Sequence, residues 1–411
     1  MVNIENINKL FSEKIYESDI QINQRELIMK ILARYSGQFT VLRELLQNAN
    51  DANAQQFIIK LFTEKKEIHI EHNGYVFRDI DWDRICTIAS GNPDENTIGC
   101  FGVGFYSVFS ISEYPTIISG NKILQLRFKD IKLLTKIIEV DNYHEKTTFI
   151  FENVSHEIFK EWVISENIDN FFKNSLYFSS SINEIIFDSK IYKKELESIN
   201  KLDLFKSIST NMIKSSIAEC SLEKYTISGS YKILSTSILN LEYNELYSKN
   251  IKKFITKKMP SKTKIQVLFN INSDNESGYI YIGYKTQQTT GFKFEINAQF
   301  IPTVERENID LNEYHIKLWN QFLLSNCSKL INHIYKSINN KSLIISSLTY
   351  TSSTPNSLIG KMLENAIFND TEFVLEDDNK ITINKCIFIP KKYIIEDSNN
   401  SIEKFIKTSY I

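Results

Sequence analysis

The sequence predicts an α+β fold in which a mixed sheet is backed by helices in two layers, with a second α/β region after it. Helical and strand-like segments interleave over residues 1–190, strands dominate residues 225–305, and a long helix follows at residues 313–338. Apolar residues make up 42% of the chain and aromatic residues 12%, which is enough to build cores and excludes a disordered chain.

Composition narrows the function classes. The 411 residues predict two or three domains, at about 150 residues per domain. Lys and Arg (48) nearly balance Asp and Glu (50), and the net charge of -2 disfavours nucleic acid as a partner. No apolar run reaches the roughly 18 residues of a membrane helix, and the charged N-terminus lacks a signal-peptide pattern. We therefore expect no membrane partner and an intracellular location, in cytoplasm or nucleus.

The cysteines fit a reducing compartment, because they are scattered, odd in number and form no CxxC pair. A disulfide framework or a zinc site is therefore not expected. They are Cys86, Cys100, Cys220, Cys327 and Cys386.

Two helices are predicted first. In QINQRELIMKILARYS, residues 21–36, four apolar residues lie near one face, and Ser36-Gly37 ends the helix. The four are Ile22, Leu27, Ile28 and Ile31. Thr40 is the expected N-cap of a second helix, which carries LRELLQNANDA at residues 42–52.

Strands and short helices follow. FIIKLF and EIHIE predict two strands that turn at residues 64–66 and stop at Asn73-Gly74. DIDWDRICTIASG predicts a short helix, and GVGFYSVFSI predicts a helix that begins at a glycine-rich loop. Further strands are expected at PTIIS, KILQLRF and TTFIFEN.

The rest of the chain predicts two more regions. Residues 155–215 read as mostly helical with a strand at NEIIFDS, and strands then dominate to residue 305. A Ser/Thr-rich loop, a helix and a hairpin across residues 376–379 form the tail. We expect domains at residues 1–190, 191–340 and 341–411.

The first motif that carries chemistry lies in the second helix. Glu44, Asn48 and Asp51 fall at i, i+4 and i+7 and share one helix face. An acid and an amide there could hold a water molecule and a divalent cation. An ordinary solvated face is the alternative interpretation.

Two further motifs follow in order. In EIHIEHNGYVF, residues 67–77, a strand ends at a polar pair and Gly74, which alone also fits a hairpin turn. In TIGCFGVGFYSVF, residues 97–109, glycines precede a helix, and amides without side-chain obstruction there form a phosphate cradle. An ordinary glycine loop is the alternative, and the missing GK[ST] excludes a P-loop.

Together, in this order and spacing, these segments resemble the GHKL ATPase superfamily of gyrase, heat-shock protein 90, histidine kinases and MutL. RELLQNANDA is similar to its N-box, HNGYVF to the adenine-site motif, and IGCFGVGFYSVF to the heat-shock-protein-90 form of the glycine motif. KTTF, residues 146–149, resembles the strand behind the nucleotide.

Longer segments narrow the resemblance. ARYSGQFTVLRELLQNANDANA and SGNPDENTIGCFGVGFYSVFSI resemble the sacsin-type branch, and most of all the N-terminal ATPase-like region of large fungal proteins. FIPTVERENIDLNEYHIKLWN resembles the catalytic-loop segment of the heat-shock-protein-90 middle domain. The resemblance implies a Bergerat-type two-layer sandwich followed by a middle-domain-like region, with ATP and Mg²⁺ as cofactors.

The resemblance also implies residue roles. Glu44 would be the general base that orients water, and Asn48 would bind Mg²⁺, with Asp51 supporting the site or the helix. Arg306 would offset transition-state charge, with a surface ion pair in Glu305-Arg306-Glu307 as the alternative. The other implied nucleotide-site residues are His72, Gly74, Gly99, Gly102, Val103, Gly104, Phe105 and Thr147.

Four features depart from the family pattern. His72 stands where the adenine-site aspartate is expected, and a neutral imidazole accepts a hydrogen bond at only one nitrogen. Val76 replaces the second glycine of that motif, and Lys146 replaces the glycine before Thr147. The lid is short, because only residues 92–98 separate Gly91 from Gly99.

The motifs and the resemblance together predict Mg²⁺-dependent ATP binding and slow hydrolysis coupled to interdomain movement. The expected class is a chaperone-like or conformational-switch ATPase that acts on a protein client or partner. The alternative is a nucleotide-binding pseudo-ATPase that serves as an interaction module. His72 favours the alternative, whereas Glu44 and Asn48 favour the enzyme. A histidine kinase is disfavoured because no dimerisation hairpin precedes the N-box, and a topoisomerase or MutL-like protein is disfavoured by the net charge.

Overall fold

A computed structural model of the chain divides into two compact units, the first ending at Lys193 and the second beginning at Lys194. The structure describes residues 22–33, 39–88, 104–164, 166–254, 259–269, 277–303, 307–337, 358–368, 372–374 and 380–382. None of the helices in these ranges is long and apolar enough to cross a membrane.

The first unit combines helices with a mixed sheet. Its helices are α1 (Gln24–Leu32), α2 (Thr40–Asp51), α3 (Asp79–Ile85), a 3₁₀ helix (Gly104–Ser110), α4 (His156–Ile164) and α5 (Glu166–Phe178). Its strands are β1 (Gln56–Phe62), β2 (Glu67–His72), β3 (Thr116–Lys129), β4 (Lys132–Phe151), β5 (Glu184–Phe187) and the start of β6 (Lys190–Lys201).

The sheet of the first unit has the order β6-β5-β1-β2-β4-β3. Strands β1 and β5 are parallel and the other neighbouring pairs are antiparallel, so the sheet is mixed. Side chains alternate between buried and half-buried along β1 and β2, which is the pattern of a sheet with one covered face. The expected mixed sheet with helices is confirmed.

The second unit is also α/β. Its sheet has the order β11-β10-β12-β9-β8-β7-β6, formed by the remainder of β6 with β7 (Ile213–Ile227), β8 (Ser230–Tyr243), β9 (Lys262–Phe269), β10 (Tyr279–Tyr281), β11 (Lys285–Thr289) and β12 (Glu295–Ala298). Its helices are α6 (Glu245–Ile251), α7 (Tyr314–Ser337) and α8 (Leu358–Phe368). A separate pair, β13 (Glu372–Val374) and β14 (Lys380–Thr382), is antiparallel and confirms the expected tail hairpin.

Tight turns connect the long hairpins. Between β7 and β8, Ser228 and Gly229 have φ values of 48° and 79°. Two successive positive φ values match the right-handed twist of a two-residue hairpin, and glycine tolerates this conformation without strain.

Several element predictions are confirmed and others are wrong. The strands at residues 57–62 and 67–71, the turn between them and the long helix are confirmed. The predicted N-cap is wrong, because the α2 N-cap is Phe39 and Thr40 is the first helical residue. Ile28 is buried as expected, but Leu27 is exposed, and Ile22 precedes α1 and is 62% exposed.

The helical expectation for residues 155–215 is wrong in its second half. The strand predicted at NEIIFDS is confirmed as β5, but the chain then forms β6, and residues 202–212 are irregular. Most of β6 is exposed, so its sequence lacks the alternation that normally marks a strand.

Candidate functional site

Helix α2 carries the first group of the candidate site. Leu42, Leu45 and Ala49 are fully buried and anchor the helix in the core. Glu44 is only 4% exposed, although a carboxylate is among the side chains least often buried. Its Oε1 lies 3.3 Å from Nη2 of the neighbouring Arg43, and this pairing offsets part of the cost of burying its charge.

The remaining predicted residues of the helix face differ from Glu44. Asn48 and Asp51 lie on the same helix and are exposed. Because Asn48 is exposed, its amide oxygen is available to bind a cation.

A neighbouring residue that the sequence analysis missed shares the Glu44 side of the helix. Gln47 is 8% exposed, and its Oε1 is buried without a hydrogen-bond partner among the described residues.

The second group lies where β2 ends. His72 and Thr147 are directly opposite each other in the β2–β4 register, and both are essentially inaccessible to solvent, at 1% and 0% exposure. Their neighbours on the same sheet face are apolar, including Phe57, Ile70 and Phe149. Two adjacent polar residues on an otherwise apolar face require hydrogen-bond partners.

Thr147 finds its partner on β3. Its Oγ1 lies 2.7 Å from Oγ of Ser119, and Ser119 Oγ also accepts a hydrogen bond from the Phe77 backbone N–H at 2.9 Å. Ser119 is a further residue that the sequence analysis missed, because it lies in a strand pattern that is otherwise read as apolar.

His72 finds its partner in the turn that follows it. The Gly74 backbone N–H donates to His72 Nδ1 at 3.2 Å. Burial lowers the pKa of His72 to about 4, against the opposing charge of Glu71, so the ring is neutral at neutral pH. The structure therefore differs from the sequence expectation, because the acceptor nitrogen of the ring is already used inside the protein.

Gly74 is required at its position by close packing. A Cβ added there would lie 2.5 Å from the Ala52 carbonyl oxygen and 2.9 Å from the Ala54 nitrogen, both backbone atoms. The Tyr75 N–H donates to the same Ala52 oxygen at 2.7 Å, which fixes this turn against the end of α2. Gly74 therefore allows the turn after β2 to pack against the end of helix α2.

The third group is the described part of the glycine-rich segment. Gly104 is buried and begins the 3₁₀ helix, and the Phe105 ring lies 6.2 Å from the Phe149 ring. The His72 ring lies 6.3 Å from the same phenyl ring. Phe149 thus connects the β2 end with the start of the 3₁₀ helix.

The 3₁₀ helix also supplies a polar atom that the sequence analysis missed. Ser107 is 1% exposed, and its Oγ is buried without a hydrogen-bond partner among the described residues. Orphaned buried polar atoms on α2 and on the 3₁₀ helix fit a site that takes a polar ligand.

Four predicted residues lie outside the described residues: Gly99, Gly102, Val103 and Arg306. The predicted lid, residues 92–98, lies outside them as well.

The described residues hold no cluster of three acidic, histidine or cysteine side chains that could bind a metal. The sequence analysis predicted one protein donor for Mg²⁺, the amide oxygen of Asn48. This donor set fits that ion, which commonly keeps several waters and takes most other oxygens from substrate phosphates.

Comparisons with known proteins address the same region. A family described as the sacsin domain matches residues 67–182. Human sacsin is 31% identical over 117 residues, covering 24% of this chain and 2% of sacsin. The resemblance to the sacsin and heat-shock-protein-90 branch is therefore confirmed.

Bacterial relatives extend this result. The chaperone protein HtpG of Mesorhizobium japonicum is 30% identical over 142 residues, and that of Rhodococcus jostii is 29% identical over 143 residues. These matches cover 27% and 26% of this chain and 22% of each HtpG protein, so the chain spans only a small part of its curated relatives.

The family matches divide the candidate site. The sacsin match contains His72, Gly74 and Thr147 but begins after Glu44. A second family, described as a protein of unknown function (DUF3684), matches residues 136–337 and includes Arg306.

Proposed function

We propose that the chain binds ATP in a Mg²⁺-dependent manner and hydrolyses it slowly, as a chaperone-like or conformational-switch ATPase. The observation that carries this proposal is the buried Glu44 carboxylate on a helix whose neighbouring groups include orphaned buried polar atoms. The similarity to sacsin and to proteins named as HtpG chaperones supports the same assignment.

Domain roles belong to this proposal. Residues 1–190 would form the Bergerat-type nucleotide domain, residues 191–340 a middle-domain-like region carrying Arg306, and residues 341–411 a small C-terminal segment. A protein client or partner would respond to movement between the first two.

Glu44 would orient the attacking water and accept its proton. An ionised carboxylate offers only acceptor lone pairs, so a water molecule beside it is held with a hydrogen toward the carboxylate. Phosphoryl transfer depends more on positioning than on strong basicity, so a carboxylate of ordinary strength suffices.

Other residues would hold the ligand. Asn48 would contribute its amide oxygen to Mg²⁺, and Gly104 and Phe105 would place backbone amides near the phosphates, together with Gly99, Gly102 and Val103. Mg²⁺, when bound, offsets charge on the phosphate oxygens. His72, Gly74 and Thr147 would form the base end of the pocket, with Asp51 supporting the helix.

A pseudo-ATPase that binds nucleotide without turnover is the second candidate. The Arg43–Glu44 pair at 3.3 Å favours it, because a carboxylate oxygen held by a neighbouring cation is less available to orient a water molecule. His72 also favours it, since its acceptor nitrogen is used by Gly74.

The deciding experiment compares Glu44→Gln with wild type. Calorimetric titration of ATP with Mg²⁺ should give similar affinities, while hydrolysis falls by about 10²- to 10⁴-fold, the usual contribution of a general base. Glu64→Gln is the matched control, because Glu64 is an exposed acid in the β1–β2 turn.

Three outcomes separate the candidates. Equal turnover in Glu44→Gln and wild type removes Glu44 from catalysis. Binding without turnover in either protein establishes the pseudo-ATPase. An absence of nucleotide binding overturns both candidates.

Arg306 is tested in the same assays. Arg306→Ala should lower turnover with little change in nucleotide affinity, because the residue would act on the transition state and not on the bound base. Lys336→Ala, an exposed cation at the end of α7, is the control. An Arg306→Ala protein with wild-type turnover would show that this arginine is only a surface residue.

A further inference from the structure

The His72 ring presents a hydrogen-bond donor, not an acceptor, at the base end of the proposed pocket. A neutral imidazole carries one proton, on either Nδ1 or Nε2. Because the Gly74 N–H donates to Nδ1, that nitrogen is unprotonated and the proton lies on Nε2. The tautomer is therefore set by the protein itself.

The surroundings hold this arrangement in place. A ring flip would break the Gly74 bond, and Gly74 cannot move away because its turn is packed against the Ala52 carbonyl and bonded to it through Tyr75. The ring is 1% exposed, so breaking the Gly74 bond would leave a buried nitrogen without its partner.

The ring also stays neutral. Burial disfavours the imidazolium, and among the described residues it is Glu71 that acts in the opposite direction, with its carboxylate paired to Lys146 Nζ at 2.6 Å. The residues opposite His72 in the register, Phe57 and Thr147, are uncharged. Nε2–H is thus the group that the ring can offer to a ligand.

We propose that His72 selects nucleotides whose purine carries a carbonyl oxygen at the 6-position over nucleotides of adenine. This inference rests on the proposed nucleotide-binding function and names the base that the site prefers. It requires the Nε2–H group to face the base edge at the position that the adenine-site motif assigns to residue 72.

Donor and acceptor matching gives the reason. The adenine 6-amino group is a donor, so beside Nε2–H it would leave two donors facing each other without an acceptor. A 6-oxo group accepts from Nε2–H and so completes the hydrogen bonding of a ring whose Nδ1 is already used by Gly74. A site with a fixed polar group discriminates strongly against a ligand that cannot pair with it.

The test compares ATP and inosine triphosphate on the full chain with Mg²⁺. These two ligands share ribose and triphosphate and differ at the 6-position of the base, with the accompanying proton on N1. Wild type should bind inosine triphosphate at least about tenfold more tightly, which corresponds to one well-formed hydrogen bond.

Two variants sharpen the result. His72→Asp should reverse the preference, because a carboxylate accepts from the 6-amino group and repels a 6-oxo group. His69→Asp is the matched control, since His69 lies on the same strand with its side chain on the opposite sheet face, and its ratio should equal that of wild type.

The outcomes separate this inference from the proposed function. Tighter binding of ATP than of inosine triphosphate by wild type overturns the inference and leaves nucleotide binding intact. Binding of neither ligand overturns both. The wild-type ratio decides the inference by itself, even where His72→Asp fails to fold. Nitrogen NMR of the His72 ring gives an independent reading, and a protonated Nδ1 would also overturn it.

Discussion

Helix α7 and two helices of the first unit bury amide or hydroxyl side chains, and examples from the two units differ. In α7 of the second unit, Asn320 and Asn326 are fully buried. In the first unit, Gln47 on α2 and Ser107 on the 3₁₀ helix are buried nearly as well. The difference lies in whether the protein itself completes their hydrogen bonds.

Backbone groups satisfy the hydrogen bonds of the two α7 asparagine side chains. Asn320 Oδ1 accepts from the Ile301 N–H at 2.9 Å, and its Nδ2 donates to the carbonyls of Ile301 and Asp310, each at 2.8 Å. Asn326 repeats this pattern with both backbone groups of Ile208, at 2.9 and 3.1 Å. Each amide closes an irregular segment onto the helix as a strand partner would.

In the first unit, Gln47 Oε1 and Ser107 Oγ are buried polar atoms that lack hydrogen-bond partners among the described residues. A buried polar atom without a partner costs roughly 1–3 kcal/mol, so such an arrangement stabilises nothing by itself. The two α7 asparagines therefore serve the structure, whereas the unpaired atoms of Gln47 and Ser107 are groups that we propose for a ligand.

The largest effect is expected in α7. Asn320→Leu should destabilise the protein by about 4 kcal/mol, because the Ile301 N–H and the Asp310 carbonyl would both lose their partner, while the Ile301 carbonyl keeps the Asp310 N–H. Chemical denaturation measures the change, with Asn312→Leu as a control at an exposed position near the same segment. A decrease of less than about 1 kcal/mol in the free energy of unfolding would contradict the comparison, because the Asn320 amide would then not stabilise the fold.

His72 is a buried polar side chain with one nitrogen bonded to the backbone and one proposed for a ligand, and its effect on stability depends on pH. Its folded pKa is lowered from 6.5 to about 4, so the folded state binds fewer protons than the unfolded state between these values. The stability contribution is complete above about pH 6.5 and is lost as the pH falls toward 4, by about 3 kcal/mol in total.

Unfolding free energies across this pH window test the His72 prediction. His72→Asn should flatten the His72 part of the profile, because its Oδ1 can still accept from Gly74 and it does not titrate. His69→Asn should keep the wild-type slope. Identical slopes in His72→Asn and wild type would contradict the prediction.

The contrast also shows what sequence patterns can predict. Strands β1 and β2 were predictable because one sheet face is buried and the side chains alternate. The first part of β4, residues 132–146, was not predictable, because it pairs only with β3 among the described strands and is largely exposed on both faces. Exposed hairpin strands carry no hydrophobic period.

The site divides in a similar way. The helical position of Glu44 and the turn at Gly74 follow from local pattern, and the structure has a helix at Glu44 and the end of β2 just before Gly74. The His72 tautomer does not follow from the sequence, because it depends on a hydrogen bond across a turn. Gln47, Ser107 and Ser119 could not be singled out either, since only the folded structure reveals which buried polar atom lacks a partner.

A smaller effect of opposite sign is expected on α2. Gln47→Met keeps the length of the side chain and removes a buried oxygen without a partner, so stability should rise by up to about 1 kcal/mol. Nucleotide affinity should fall, because a group held open for the ligand is lost. Thermal unfolding and calorimetry measure the two quantities on one preparation. A clear loss of stability would place Gln47 in the structural class with Asn320.

The smallest stability effect belongs to Ser107→Ala. The substitution removes one hydroxyl from a site that is 1% exposed and adds no volume, so two terms nearly cancel: a small void is created, and an unpaired polar atom is removed. The free energy of unfolding should change by less than about 0.5 kcal/mol, while affinity for a nucleoside triphosphate drops about fivefold, the scale of one hydrogen bond. Ser112→Ala provides the contrast, because Ser112 is also buried, at 4% exposure, but its Oγ donates to the Glu152 carbonyl at 2.8 Å. That variant should lose stability and keep its affinity. If the two serines respond alike in both measurements, a missing partner does not mark a ligand site in this fold.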